Sequence, residues 1–195
     1  METVINFATS IELVAKLAHS SPPQAVGGIL GNLVKCALMK IVLASVGKAH
    51  EPELRASIEQ FTKRLSHYFS CEWRILPPAK QNANSSAESV KKAEAETILK
   101  SLGKDDFLVL LDERGAQLTS PALAQLLQEQ ANRSVKTIVF LIGGAFGVDA
   151  CVRQRANFCW SLSTLVFPHQ IVRLVLAEQL YRAATILRNE SYHHE

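Results

Sequence analysis

The sequence predicts an α/β domain from residue 39 onward, in which a parallel sheet is covered by helices on both faces. Short apolar runs of strand length alternate along the chain with longer segments whose apolar residues recur at helical spacing. The strand runs are predominantly apolar. That pattern is typical of parallel strands that are buried on both sides.

The first half of this domain is predicted to contain three strands and two helices. Residues 40–46 are a continuous apolar run, and the helix over 51–69 has Pro52 in its first turn. Its apolar residues lie at helical spacing: Leu54, Ile58, Phe61, Leu65 and Tyr68. The strand over 72–76 stops at two prolines. After a polar loop, Ser85 or Ser86 caps a helix that closes at Gly103, and residues 106–112 form the third strand.

The second half repeats this alternation. The helix over 120–133 is predicted to have Ser120 as its cap and Pro121 at its first position. The remaining elements are a strand over 136–144, a short helix over 149–156, a strand over 160–167 and a last helix from Pro168 to Arg188.

Residues 1–38 differ from this pattern. Their periodicity is weak, their start is acidic and they contain no arginine, so they match neither a signal peptide nor a transit peptide. We expect that Met39 is the true start and that 1–38 is an extension with a mis-called start. The alternative is a helical appendage with little order. The domain itself is then 39–195.

Composition limits the classes of function. The chain is 48% hydrophobic and its formal net charge is +3, which permits contact with nucleic acid without requiring it. The four cysteines form no CxxC pair and no zinc spacing, so we expect reduced thiols, a cytoplasmic protein and no metal. No run reaches the roughly 18 apolar residues of a membrane span.

Three strand ends are candidate binding loops: "LLDERG" (110–115), "IGGAFG" (142–147) and "TLVFPHQ" (164–170). Ligands of open parallel sheets bind at the carboxyl ends of strands. Gly143, Gly144 and Gly147 allow close approach of the backbone to a ligand, although a glycine pair after a strand is more often only a tight turn. The dinucleotide fingerprint and the phosphate-loop motif are both absent from the sequence.

The last helix is apolar on nearly all sides, which indicates a core helix or a core helix that also forms half of a dimer interface. Its polar exceptions are Arg173, Glu178 and Arg182, which can pair with one another; alternatively, the arginines can meet phosphate. His169 at the helix start and the adjacent His193 and His194 in the tail can equally be structural or solvated.

Several stretches taken together resemble the RlmH family of SPOUT-class methyltransferases. They are "MKIVLASVGK", "LLDERG", "FLIGGAFG" and "SLSTLVFPHQIVR", followed by the tail "YHHE". The likeness extends from Met39 to Glu195 and leaves residues 1–38 without a counterpart.

The resemblance implies a homodimer with a C-terminal deep trefoil knot, the SPOUT or α/β knot. It implies a methyltransferase that uses S-adenosyl-L-methionine to methylate N3 of a pseudouridine in helix 69 of 23S ribosomal RNA, on the assembled ribosome. The donor would lie in the knot. The residues expected to bind it are Leu111, Gly143, Gly144, Ser163, Thr164, Leu165, Val166, Phe167 and Pro168.

Methyl transfer to an imide nitrogen needs alignment of the reacting atoms and removal of a proton. We expect His169, Arg173, Tyr192 and His193 to border the nucleotide as catalytic residues. Arg173 would stabilise a uracil oxyanion or hold phosphate, and His193 would help to remove the proton or only bind RNA. Two other classes of protein are a knotted RNA-binding protein without chemistry and an oxidoreductase of Rossmann type, against which the missing fingerprint argues.

Overall fold

A computed structural model describes residues 38–80 and 85–192 of the chain. The elements are β1 Lys40–Val46, α1 Pro52–Leu65, β2 Ser70–Leu76, α2 Ala87–Ser101, β3 Phe107–Gln117, α3 Ser120–Asn132, β4 Thr137–Ile142, α4 Ala150–Arg155, β5 Phe158–Ser161 and α5 His169–Leu187. The strands form one sheet in the order β2-β1-β4-β3-β5, and every pairing is parallel. The prediction of a parallel sheet is confirmed.

Helices cover both faces of this sheet, as predicted. On one face, Leu65 of α1, Leu123 of α3 and Leu180 of α5 share a cluster with alternate residues of the central strands. On the other face, Ile98 of α2 and Val152 of α4 pack on the intervening strand residues. Because α5 contacts both α1 and α3, most of its surface is apolar.

Strand β3 is longer than predicted and includes the "LLDERG" segment that we expected to form a loop. The pairing of β3 with β5 shifts register between Leu111 and Ala116, so residues 112–115 leave the regular ladder. Gly115 allows this close approach, since a Cβ there would lie 2.7 Å from backbone atoms of Cys159 and Trp160. Residue 115 can therefore carry no side chain in this arrangement.

Strand β5 is shorter than predicted. It ends at Ser161, and residues 162–168 form a loop in which Leu165 and Val166 are 68% and 79% exposed. The apolar run that predicted a strand here extends past the part of β3 with which β5 pairs. Ser163 turns the chain instead, because its Oγ accepts a hydrogen bond from Leu165 N at 3.0 Å and its carbonyl accepts one from Ser161 Oγ at 2.8 Å.

Side chains cap the starts of α2, α3 and α4. Ser86 is one of the two serines predicted to cap α2. It does cap this helix, since its side chain accepts a hydrogen bond from Ser89 N. The predicted cap of α3 was wrong by one residue: Thr119 caps it, and the Ser120 hydroxyl donates to Gln179 of α5 at 2.8 Å. The expectations for residues 1–37 and for the tail from His193 lie outside the described residues. Among the helices of the described part, none is long and apolar enough to cross a bilayer.

Candidate functional site

Three predicted binding segments meet in one cavity of about 410 Å³ at the carboxyl ends of β3, β4 and β5. This volume is in the range of small-molecule sites. The walls are Leu111–Arg114, Ile142–Val148, Trp160–Ser163, Leu165–Phe167, His169 and Val172. We call it the first cavity. Only the tertiary fold brings these segments together, since they come from three separate parts of the chain.

The Gly143–Gly144 turn forms one wall with bare backbone. Gly147 N donates to Gly144 O at 2.9 Å, and Gly147 adopts a φ of +79°, which favours glycine. A Cβ on Gly143 would lie 2.7 Å from Val148 Cγ1. The turn is therefore tight, and its glycines also line the cavity. Close approach of a ligand to their backbone stays a prediction.

Most of the predicted donor-binding residues line this cavity. They are Leu111, Gly143, Gly144, Ser163, Leu165, Val166 and Phe167. Thr164 lies in the same loop but is not among the lining residues, and Pro168 lines a neighbouring cavity instead. Their role in binding a donor stays a prediction.

Trp160 was not predicted as a site residue, although it lies on the wall of the first cavity. Its indole Nε1 is buried and has no hydrogen-bond partner within residues 38–80 and 85–192. A buried donor without a partner costs free energy unless a ligand supplies an acceptor. The glycine turn and the Ser163–Phe167 loop line the same cavity as Trp160.

Asp112 is a charged residue in the wall of the first cavity. Its Oδ2 accepts from Arg153 Nη2 at 2.5 Å, and its Oδ1 accepts from Arg114 N at 3.0 Å. Burial raises the pKa of this carboxyl, but the hydrogen bonds and the charges of both arginines outweigh burial and hold the pKa below its ordinary value. Asp112 is thus an ionised side chain that ties β3 to α4.

A second cavity of about 680 Å³ adjoins the first at the carboxyl ends of β1 and β4. The two cavities share Gly144, Ala145 and His169. The polar and charged residues that line the second cavity are Lys48, His50, Glu51, Glu94, His169, Gln170 and Arg173. Sequence reasoning missed His50 and Glu94.

Arg173 lines this second cavity, although its side chain is almost wholly buried. Its Nε donates to Ser45 Oγ at 3.0 Å, and its Nη1 donates to Lys48 O at 2.9 Å and Gln170 Oε1 at 3.3 Å. Burial lowers the pKa of the guanidinium from its ordinary value, which still leaves it charged. Arg173 therefore fixes the loop after β1 onto the start of α5.

Two imidazoles lie near this guanidinium. Burial, and secondarily the positive charge of Arg173, lowers the pKa of His169. The same two causes lower the pKa of His50, whose Nδ1 is 3.4 Å from Arg173 Nη1. Both rings are therefore neutral at neutral pH and can accept or donate a hydrogen bond.

The structure does not bring Tyr192 to these cavities. Tyr192 lies over the opposite part of α5, where its hydroxyl donates to Glu178 Oε1 at 3.2 Å and its ring centroid is 4.7 Å from that of Tyr181. Glu178 also pairs with Arg182 at 2.7 Å, so two of the three polar exceptions on the last helix do pair, while Arg173 is held elsewhere. His193 lies outside the described residues.

No group of three or more potential metal ligands occurs in the described part of the chain. Cys71 and Cys159 are partly buried thiols, and Cys151 is exposed.

Comparison with known proteins identifies the family of this chain. Residues 39–193 match the sequence model of the family described as "Predicted SPOUT methyltransferase". The chain is 43% identical over 156 residues to the ribosomal RNA large subunit methyltransferase H of Christiangramia forsetii, covering 80% of this chain and 99% of that protein. It is also 43% identical over 157 residues to the protein of the same name from Flavobacterium johnsoniae, covering 80% and 100%.

Among solved structures, the SpoU methyltransferase AviRb from Streptomyces viridochromogenes, in complex with AdoMet, aligns with a TM-score of 0.37 and 13% identity. That alignment covers 74% of this chain and 60% of AviRb. The match of the family model and the identity to full-length relatives decide the assignment. The chain is a methyltransferase that belongs to the SPOUT family, in the group of the ribosomal RNA large subunit methyltransferase H proteins.

Proposed function

We propose that this protein uses S-adenosyl-L-methionine to methylate N3 of a pseudouridine in helix 69 of 23S ribosomal RNA, and that it acts on the assembled ribosome in the cytoplasm. The observation that carries the proposal is the first cavity, in which the three segments that the family likeness singled out lie side by side. The relatives' name, which specifies ribosomal RNA of the large subunit, supports the class of substrate.

The first cavity would hold the donor mainly through main-chain groups. Residues 143–144 would contact it from one side, Ser163 and residues 165–167 from a second, and Leu111 from the third. Trp160 Nε1 would donate to an acceptor atom of the donor. When bound, S-adenosylmethionine supplies a methyl group that a positive sulfur already activates. The protein therefore has to supply alignment and exclusion of water.

The second cavity would hold the base that accepts the methyl group. His169 lies on the boundary of both cavities as a neutral imidazole, where it can hydrogen-bond the base. Arg173 makes no hydrogen bond through Nη2 within the described residues. That N–H pair would stabilise negative charge on a uracil oxygen as the imide loses its proton.

The protein would work as a homodimer with a deep trefoil knot. Residues 111–114, 142–148, 160–163 and 165–167 line one cavity, which supports a knot formed by threading the last segment past the other two. Because Tyr192 lies away from both cavities of its own chain, Tyr192 and His193 would reach the nucleotide bound by the partner subunit. The +3 charge is small, so contacts with the assembled ribosome would add to a modest phosphate affinity.

The test combines donor binding with product analysis. Calorimetry should show binding of S-adenosylmethionine, and ribosomes that lack the modification should gain one methyl group on the pseudouridine of helix 69, read by mass spectrometry of the RNA fragment. Free ribosomal RNA is the matched control and should react far more slowly. Donor binding without methylated RNA would favour an RNA-binding protein without chemistry.

A further inference from the structure

The second cavity contains a buried carboxylate that the proposed function does not use. Glu94 lies on α2 among the apolar residues that face the sheet, and it is only 4% exposed. Its Oε1 accepts one long hydrogen bond, from Ala79 N at 3.3 Å. Its Oε2 is buried and has no partner among the residues that the structure describes. A buried carboxylate oxygen without a donor is costly, and functional sites are where such costs are retained.

Glu94 also lies at the boundary between the two cavities. A Cβ on Gly144 would lie 2.1 Å from Glu94 Oε2, so the carboxylate packs directly against the glycine that both cavities share. The absence of a side chain at residue 144 is what permits this packing. The unpartnered oxygen of Glu94 therefore lies beside a residue at which the two cavities meet.

The position of the second cavity in the sheet points to a ligand as well. It opens at the carboxyl ends of β1 and β4, which are neighbours in the sheet. The helix after β1 lies on one face of the sheet, and the helix after β4 lies on the other. Such a switch point forms a crevice in which open α/β sheets bind their ligands.

We propose that Glu94 is the general base for the reaction, and that the second cavity binds the imide edge of a uracil-type base with its N–H directed at the Glu94 carboxylate. The N–H bond breaks and its proton moves to Glu94. The electron pair of the nitrogen forms the new bond to the methyl group, while the bond between that carbon and sulfur breaks and leaves its electron pair on sulfur. This proposal rests on the proposed function.

The electrostatics of Glu94 suit this role. Burial raises its pKa above the ordinary value, with only the Ala79 hydrogen bond opposing the shift. A carboxylate with a raised pKa is a better proton acceptor than one in water. Charged and titratable groups on the surrounding elements are Lys48, His50, Glu51, His169 and Arg173 in the cavity, Lys91 and Lys92 on α2, and Asp149, Arg153 and Arg155 at α4.

The test compares Glu94→Gln and Glu94→Asp with Glu96→Gln, a control on the same helix whose side chain is exposed. Single-turnover methyl transfer to modification-free ribosomes should fall by about 100-fold or more in Glu94→Gln, since general bases contribute roughly 10²–10⁴-fold. Glu94→Asp should retain an intermediate rate and Glu96→Gln the full rate. The wild-type rate should rise with pH and then level, and this rise should be absent in Glu94→Gln.

Two measurements that do not need turnover separate catalysis from a structural role. Donor affinity by calorimetry should be unchanged in Glu94→Gln. Its melting temperature at pH 8 should equal or exceed that of the wild type, because a carboxyl with a raised pKa loses stability as pH rises through its folded pKa and glutamine removes that loss.

A wild-type rate in Glu94→Gln, or a loss of rate that follows a loss of donor affinity or of melting temperature, would overturn the assignment. Those results would leave the methyltransferase proposal standing. Wild-type protein that neither binds the donor nor methylates ribosomes would remove both.

Discussion

Substituting Gly144 by alanine tests the packing at the boundary of the two cavities. The new Cβ would lie 2.1 Å from Glu94 Oε2, 2.8 Å from Cδ and 3.0 Å from Oε1. Ordinary contact starts at about 3.4 Å, so the carboxylate would have to withdraw by roughly 1.3 Å. Glu94 is 4% exposed and cannot swing into solvent without moving its neighbours. The backbone itself is not the obstacle, because Gly144 does not have a positive φ.

Overpacking of this kind costs about 1–3 kcal/mol of the free energy of unfolding. In a chain of 195 residues, this corresponds to a fall of roughly 2–12 °C in melting temperature. Urea denaturation measures the first quantity and calorimetry the second. We also expect weaker donor binding, since residues 143–144 form one wall of the first cavity.

A double-mutant cycle shows whether Glu94 is the cause. In a Glu94→Ala background the collision partner is gone, so adding Gly144→Ala should cost less than about 0.5 kcal/mol. An equal cost in both backgrounds, or a cost near zero in the wild-type background, would refute the reasoning from this contact.

Three further predictions concern other parts of the structure. Arg173→Met should lower the free energy of unfolding by about 2–4 kcal/mol, measured in urea, because it removes charged hydrogen bonds to buried acceptors; a loss below 0.5 kcal/mol would contradict the role of Arg173 as the anchor of the loop after β1. Asp112 has a pKa below its ordinary value, so the stability that it contributes is present above the unfolded pKa and is lost as pH falls through the folded pKa. Arg153→Met should raise that folded pKa and so move the acid-unfolding midpoint to higher pH, whereas an unchanged midpoint would show that the ion pair adds no stability. Burial raises the pKa of the Cys71 thiol to about 12, so native-state alkylation at pH 8, read by peptide mass spectrometry, should modify the exposed Cys151 before Cys71; faster modification of Cys71 would contradict its burial.

The sequence predicted the sheet well where a strand is buried on both sides. The run over 40–46 could be identified from its apolar residues because β1 lies inside the sheet and helices bury both of its faces. At β5 the same reasoning failed, since residues 162–167 are as apolar as a strand but extend beyond the partner strand β3. Apolar composition shows a preference for burial and does not show whether a neighbour is present.

Glu94 and Arg173 show which site residues the sequence could have revealed and which it could not. Val90, Glu94 and Ile98 are spaced four residues apart, so helical periodicity places Glu94 on the buried stripe of α2. Sequence reasoning noted Arg173 as a polar exception but could not choose between an ion pair, phosphate and an internal role. Its acceptors, Ser45 and Lys48, are more than 120 residues away in the chain.

The sequence by itself determined the family, the parallel sheet with helices on both faces, and the three strand ends that are candidate binding segments. It could do so because local periodicity and motifs are properties of neighbouring residues. Only the tertiary structure decided that these strand ends form one cavity, that a second cavity adjoins it at Gly144, and that Glu94 and Arg173 are buried in its wall. Those facts depend on the order of strands in the sheet and on distances between remote segments, which chain packing fixes and local pattern does not record.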